Sequence, residues 1–147
     1  MKNLGYHTDA IFHQLDGEII DRGEYYLIRT PTNPTYYWGN YLLFKSEPTN
    51  GCFEDWMKVH RGEFGESPDH IAIGWDDYER GEVAEFEENG FELSEDIVLA
   101  LTEAPNEMRT NPDLVTRKFA TDSDWQASIA AQIAECPSEI PVEDYRV

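Results

Sequence analysis

The groups in this 147-residue chain that could do chemistry are four histidines, two cysteines and 30 acidic side chains, set against 11 Lys and Arg. Their spacing excludes more than it offers. His7, His13, His60 and His70 are dispersed, and no HExxH pairs two of them for zinc. His60 and Glu63 stand at i, i+3, a spacing that metal-binding bundles use, but no second pair accompanies them. His60 also falls on an apolar stripe, where a hydrogen-bonded core histidine is expected. Cys52 precedes an amphipathic segment whose helix dipole would lower a thiol pKa, yet no base lies near it in sequence, and it reads as a buried structural cysteine. Neither Cys52 nor Cys136 belongs to a CxxC pair. Adjacent acids such as Asp76-Asp77 and Glu87-Glu88 diverge on a helix and read as caps or solvated charges. No GxGxxG, GxxxxGK[ST] or GxSxG motif occurs. Catalytic residues therefore remain unassigned, and no metal or cofactor ligand is expected.

One cluster has the composition of a ligand wall. Tyr36, Tyr37 and Trp38, followed by Gly39 and Asn40, combine large rings with polar handles beside a small residue. Such a run can line a small-molecule pocket, and Tyr36, Tyr37, Trp38 and Asn40 are the candidate substrate-binding residues. A central strand needs large apolar residues as well, so pocket and core both stay open.

The elements that must position this cluster follow from periodicity. Glu18 to Ile20 and Tyr25 to Arg29 are β-rich runs about the turn-type cluster Asp21-Arg22-Gly23-Glu24, a hairpin. After the interruption by Pro31 and Pro34, Tyr36 to Phe44 reads as one long strand covered on both faces. Phe53, Trp56, Met57, His60 and Phe64 form one helical stripe that Gly65 is placed to end. His70 to Trp75 reads as a buried strand, and Asp76 or Asp77 as the cap of an acidic helix running to about Asn89, with Gly90 beyond it. Strand is expected again at Phe91–Leu93, Ile97–Leu101 and Leu114–Phe119. A helix carrying Trp125, Ile129 and Ile133 should start at Thr121 or Ser123 and stop at Pro137. The fold class is thus α/β (α+β), a mixed, mainly antiparallel sheet with flanking helices. Residues 1–103 are read as one domain, 104–113 as a linker, and 114–147 as the opening strand and helix of a second.

Composition bounds the partners. A chain that is 40% hydrophobic, with 4 Trp, 8 Tyr and 7 Phe, can build a core despite a formal charge of −19. Residues 63–103 hold 14 acids against the single base Arg80, a net of −13, so the acidity is a block rather than a coating. That field repels phosphate backbones and disfavours nucleic acid; it either steers a cationic amine or basic partner, or simply solvates one face. No apolar run approaches the ~20 residues of a membrane span. Residues Met1 to Tyr6 lack a signal-peptide h-region, which makes a cytoplasmic protein the expectation.

The stretch Tyr25-Tyr26-Leu27-Ile28-Arg29-Thr30-Pro31-Thr32-Asn33-Pro34-Thr35-Tyr36-Tyr37-Trp38-Gly39-Asn40-Tyr41-Leu42-Leu43-Phe44 resembles the N-terminal part of bacterial tandem-type N-acetyltransferases of the GNAT superfamily. Phe53 to Trp56 and His60 to Gly65 are similar to the segment expected after it, and Phe86 to Glu92 to a late helix–strand junction of that fold. Arg117 to Trp125 looks like the opening of a second GNAT domain. The resemblance implies a degenerate or partial GNAT fold, and an intact enzyme moving acetyl from acetyl-CoA to an amine. Its [RQ]xxGx[GA] pyrophosphate loop has no match here. By the resemblance, this chain is the non-catalytic front portion of a longer enzyme, cut after the second domain begins. Its expected partner is the rest of its own chain, and acetyl-CoA is the cofactor of the intact enzyme, not of this segment. The alternative is a free-standing acidic interaction module without enzymatic activity.

Overall fold

Leu27, Ile28, Leu42 and Leu43 are fully buried although neighbours in a strand point to opposite faces, so the sheet they build must be covered on both sides. The computed structural model, which describes residues 1–65, 70–103 and 111–135, shows how. Its elements are α1 (Leu4–Asp16), β1 (Glu18–Asp21), β2 (Tyr25–Arg29), β3 (Tyr41–Phe44), α2 (Phe53–Phe64), β4 (Ile73–Trp75), α3 (Ala84–Glu88) and α4 (Asp122–Glu135). The chain divides into two units, Met1–Thr102 and Glu103–Val147.

In the first unit the strands lie in the order β1-β2-β3-β4. The first two contacts are antiparallel, with Ile20 opposite Leu27 and Leu27 opposite Leu42. The last is parallel, with Leu43 opposite Gly74, and α2 makes the crossover between β3 and β4. This is the mixed, mainly antiparallel α+β sheet with flanking helices. On one face Ile28, Tyr41, Leu43 and Ala72 pack with Tyr6 of α1. On the other, Leu27, Leu42 and Phe44 meet Trp56, Val59 and Phe64 of α2. The Phe44 and Trp56 rings stack at 3.8 Å between centroids and 3° between planes. Phe53, Met57 and Phe86 extend that side into a third cluster. Gly65 ends α2 at φ +66°, left-handed backbone that suits glycine.

Several expectations are corrected. An α-helix precedes the hairpin, where none was read. The strand expected from Tyr36 is confined to Tyr41–Phe44, because Tyr37–Gly39 winds into a 3-10 turn. The buried strand at 70–75 shortens to Ile73–Trp75. The acidic helix shrinks to Ala84–Glu88, and Asp76 ties down a different element: its carboxylate accepts from the N–H groups of Lys2 and Asn3 ahead of α1, the Asn3 bond being 2.8 Å, while Asn3 itself is the N-cap and accepts from Gly5 N–H at 2.8 Å. Phe91–Leu93, Ile97–Leu101 and Leu114–Phe119 form no strand; Ile97, Leu99 and Val115 are almost fully exposed. β-propensity without a pairing partner is not enough to order a strand.

Within the second unit α4 carries a capping box. Thr121 Oγ1 accepts from Asp124 N–H at 3.3 Å, while the Asp124 carboxylate accepts from Ala120 N–H at 2.9 Å and Thr121 N–H at 3.0 Å. Arg117 and those two amides hold Asp124 below the usual carboxylate range. The linker assigned to 104–113 falls mostly outside the described residues, as do Cys136 and Pro137.

Candidate functional site

The link from β2 to β3 begins at Thr30 and ends at Asn40, which are 3% and 4% exposed. Two prolines and a buried polar pair in so short a loop demand internal hydrogen bonds. Asn40 supplies them. Its Oδ1 accepts from Thr30 N–H at 3.0 Å, and its Nδ2 donates to the carbonyls of Asn33 at 2.9 Å and Tyr36 at 2.8 Å. Thr30 Oγ1 donates to the Gly39 carbonyl at 3.2 Å. Gly39 is required by this closeness: a Cβ there would collide with the Tyr36 ring and stand 2.7 Å from Thr30 Oγ1.

The frame turns three rings outward. Tyr36, Tyr37 and Trp38 are 49%, 45% and 57% exposed. Tyr37 meets Trp38 edge-on at 5.0 Å and stacks on His70 at 4.7 Å and 29°. Beside them lies a cleft of about 410 Å³ lined by Tyr37, Ile71, Asn89, Gly90, Phe91 and Glu92. Of the four residues singled out in the sequence, Tyr37 lines this cleft and Tyr36 and Trp38 flank Tyr37 on the surface. Asn40 is buried beneath them as the bracket of the loop. Aromatic residues beside a carboxylate and an amide have the composition of a site for an organic cation.

The sequence did not bring His60, His70 and the cleft together, since only the α2–β4 crossover places 60 near 70. His60 is 3% exposed, and among the described residues neither its Nε2 nor that of His70, both buried, has a hydrogen-bond partner. Burial, and then the neighbouring His70, push the His60 pKa below the usual imidazole value. The core position expected for His60 is where the structure places it.

Other candidates fall away for stated reasons. Glu63 turns from His60 to the hairpin, accepting from Tyr25 Oη at 2.6 Å and Arg22 Nη2 at 3.0 Å. Burial and that bond push the Tyr25 phenol up to about 12. Burial also raises the Cys52 thiol pKa, the opposite of what a nucleophile needs. Among the described residues no three His, Cys, Asp or Glu side chains converge on a point that could hold a metal, and no helix is long and apolar enough to cross a membrane. No protein-family model matches the chain, and no match is found among curated proteins or solved structures.

Proposed function

We propose that the Met1–Thr102 unit is the non-catalytic, substrate-side domain of a cytoplasmic N-acetyltransferase resembling the GNAT superfamily, whose intact form transfers acetyl from acetyl-CoA to an amine. The observation that carries this reading is the Thr30–Asn40 loop. It contains Asn33 to Asn40, the most specific part of the resemblance, and it holds Tyr36, Tyr37 and Trp38 half in water on a frame of hydrogen bonds. Rings serving only as core would lie beneath the sheet's helices; these three stand together at the surface on a hydrogen-bonded loop, as rings available for contact do.

The chemistry divides accordingly. In direct transfer the bound ammonium first gives a proton to a base, the free amine nitrogen attacks the thioester carbonyl carbon, the C–S bond breaks, and the departing coenzyme A thiolate takes up the proton that the acylated nitrogen releases. No covalent protein nucleophile is needed, only binding, orientation and proton removal. This domain would contribute the first two through the Tyr37 and Phe91 rings and the Glu92 carboxylate around a cationic amine. The acidic block favours that approach and opposes the polyanionic cofactor.

Calorimetric titration of the 147-residue chain with acetyl-CoA tests the division of labour. No saturable heat is expected. One-to-one binding in the low micromolar range (about −8 kcal/mol) would overturn the non-catalytic assignment.

A further inference from the structure

Helix α1 is apolar on two opposite sides. Its inner side buries Ala10 and His13, and Tyr6 packs on the sheet cluster. Its outer side leaves Leu4, Ile11, Phe12 and Leu15 exposed, at 58%, 61%, 65% and 81%, around the single polar residue Thr8. At about 100° per residue these four fall within one arc of roughly 100°, running three turns and about 17 Å along the axis. A surface helix ordinarily gives that arc to polar residues; a helix apolar on both sides is one with a neighbour on both sides.

The rim identifies the neighbour. Asp9 and Asp16, seven residues apart and both exposed, border the arc on the Phe12 side. Neither makes an ion pair among the described residues. The chain carries a formal charge of −19, which opposes a second copy of itself and an anionic membrane. We propose that the outer face of α1 is a docking surface for an amphipathic helix of a partner protein, with an apolar stripe flanked by lysine or arginine. The stripe would seat between Leu4, Ile11 and Leu15 as a ridge in a groove, and the basic flank would lie over Asp9 and Asp16.

A labelled helical peptide of about 18 residues, with leucines at i, i+3, i+4 and i+7 and lysine flanks, is the probe, titrated by fluorescence anisotropy into the full chain. Two control peptides replace the leucines by serine or the lysines by glutamate. The expected result is saturable binding of the leucine–lysine peptide, weakened by about tenfold or more in either control. The double variant Ile11→Ser/Leu15→Ser should weaken it comparably with an unchanged melting temperature, because both side chains already face water. Asp9→Lys/Asp16→Lys should narrow the preference for lysine over glutamate flanks while leucine-dependent binding persists, a result no unfolded variant would give. Equal binding of the serine-stripe peptide, or affinity unchanged in both variants, would overturn the proposal. So would a dimer by light scattering, or co-sedimentation with phosphatidylcholine vesicles, that Ile11→Ser/Leu15→Ser abolishes, since the face would then belong to a second copy or to lipid.

Discussion

Asn40 and Trp38 are two residues apart and play opposite parts, which makes them separable by experiment. Asn40→Ala strips Thr30 N–H and the Asn33 and Tyr36 carbonyls of a shared partner in a buried loop, and should cost about 2–3 kcal/mol in urea denaturation. Trp38→Ala removes a ring already 57% exposed and should cost within about 1 kcal/mol. A loss of several kcal/mol for Trp38→Ala would mean the ring is core after all. His60 sets a pH dependence. Its folded pKa lies below the ordinary 6.5, so on acidification the unfolded chain takes up the proton first. Stability is then full above about pH 6.5 and falls as pH drops through the imidazole range; His13, lowered by burial, adds to the same slope. Urea midpoints between pH 7.5 and 5.5 should decline, and His60→Gln should flatten that decline. The role of Asn40 was not legible beforehand, because an Asn beside aromatics reads equally as ligand or bracket until its partners are known, whereas the burial of His60 followed from its place on the apolar stripe of α2.

At the scale of elements, the hairpin and α2 were legible because each carries a local signal and its own stop. Residues 25–29 are a β-rich run after the turn cluster 21–24, and the 53–64 stripe ends at a glycine with positive φ. Helix α1 was not, because Leu4, Tyr6, Ala10, Ile11, Phe12 and Leu15 spread around the axis and define no single face. Its start also depends on Asp76, some seventy residues away, whose carboxylate receives the Lys2 and Asn3 amides. Asp76→Ala should therefore loosen α1 while sparing α2. Hydrogen exchange is expected to lose protection over residues 4–8 with residues 55–62 unchanged. Equal loss in both helices would show Asp76 to be a global support instead of a local anchor for the start of α1. The strands expected at 97–101 and 114–119 failed for one reason: pairing is a tertiary decision, and no partner strand faces them among the described residues.

For the whole molecule, charge and architecture point the same way. The field of a net charge of −12 over residues 63–102 lies on the unit that also presents the aromatic loop, and it favours an amine over a phosphate-bearing cofactor. Because that field is screened within about 8 Å at physiological ionic strength, any attraction of a cationic amine should weaken as salt rises. The α+β class was readable from the alternation of strands and helices, whereas the crossover that sets His60 near His70 was not, since it depends on which strand β4 pairs with. The central claim is that the Thr30–Asn40 loop serves an acetyl transfer completed elsewhere in the intact enzyme. The most direct measurement is kcat/KM for acetyl transfer to an amine by the product of the whole reading frame, with Trp38→Ala beside it. The account predicts thiol release from acetyl-CoA, a fall of about tenfold in kcat/KM for Trp38→Ala, and a melting temperature that hardly moves. Absence of acetyl transfer, or transfer indifferent to Trp38→Ala, would contradict it.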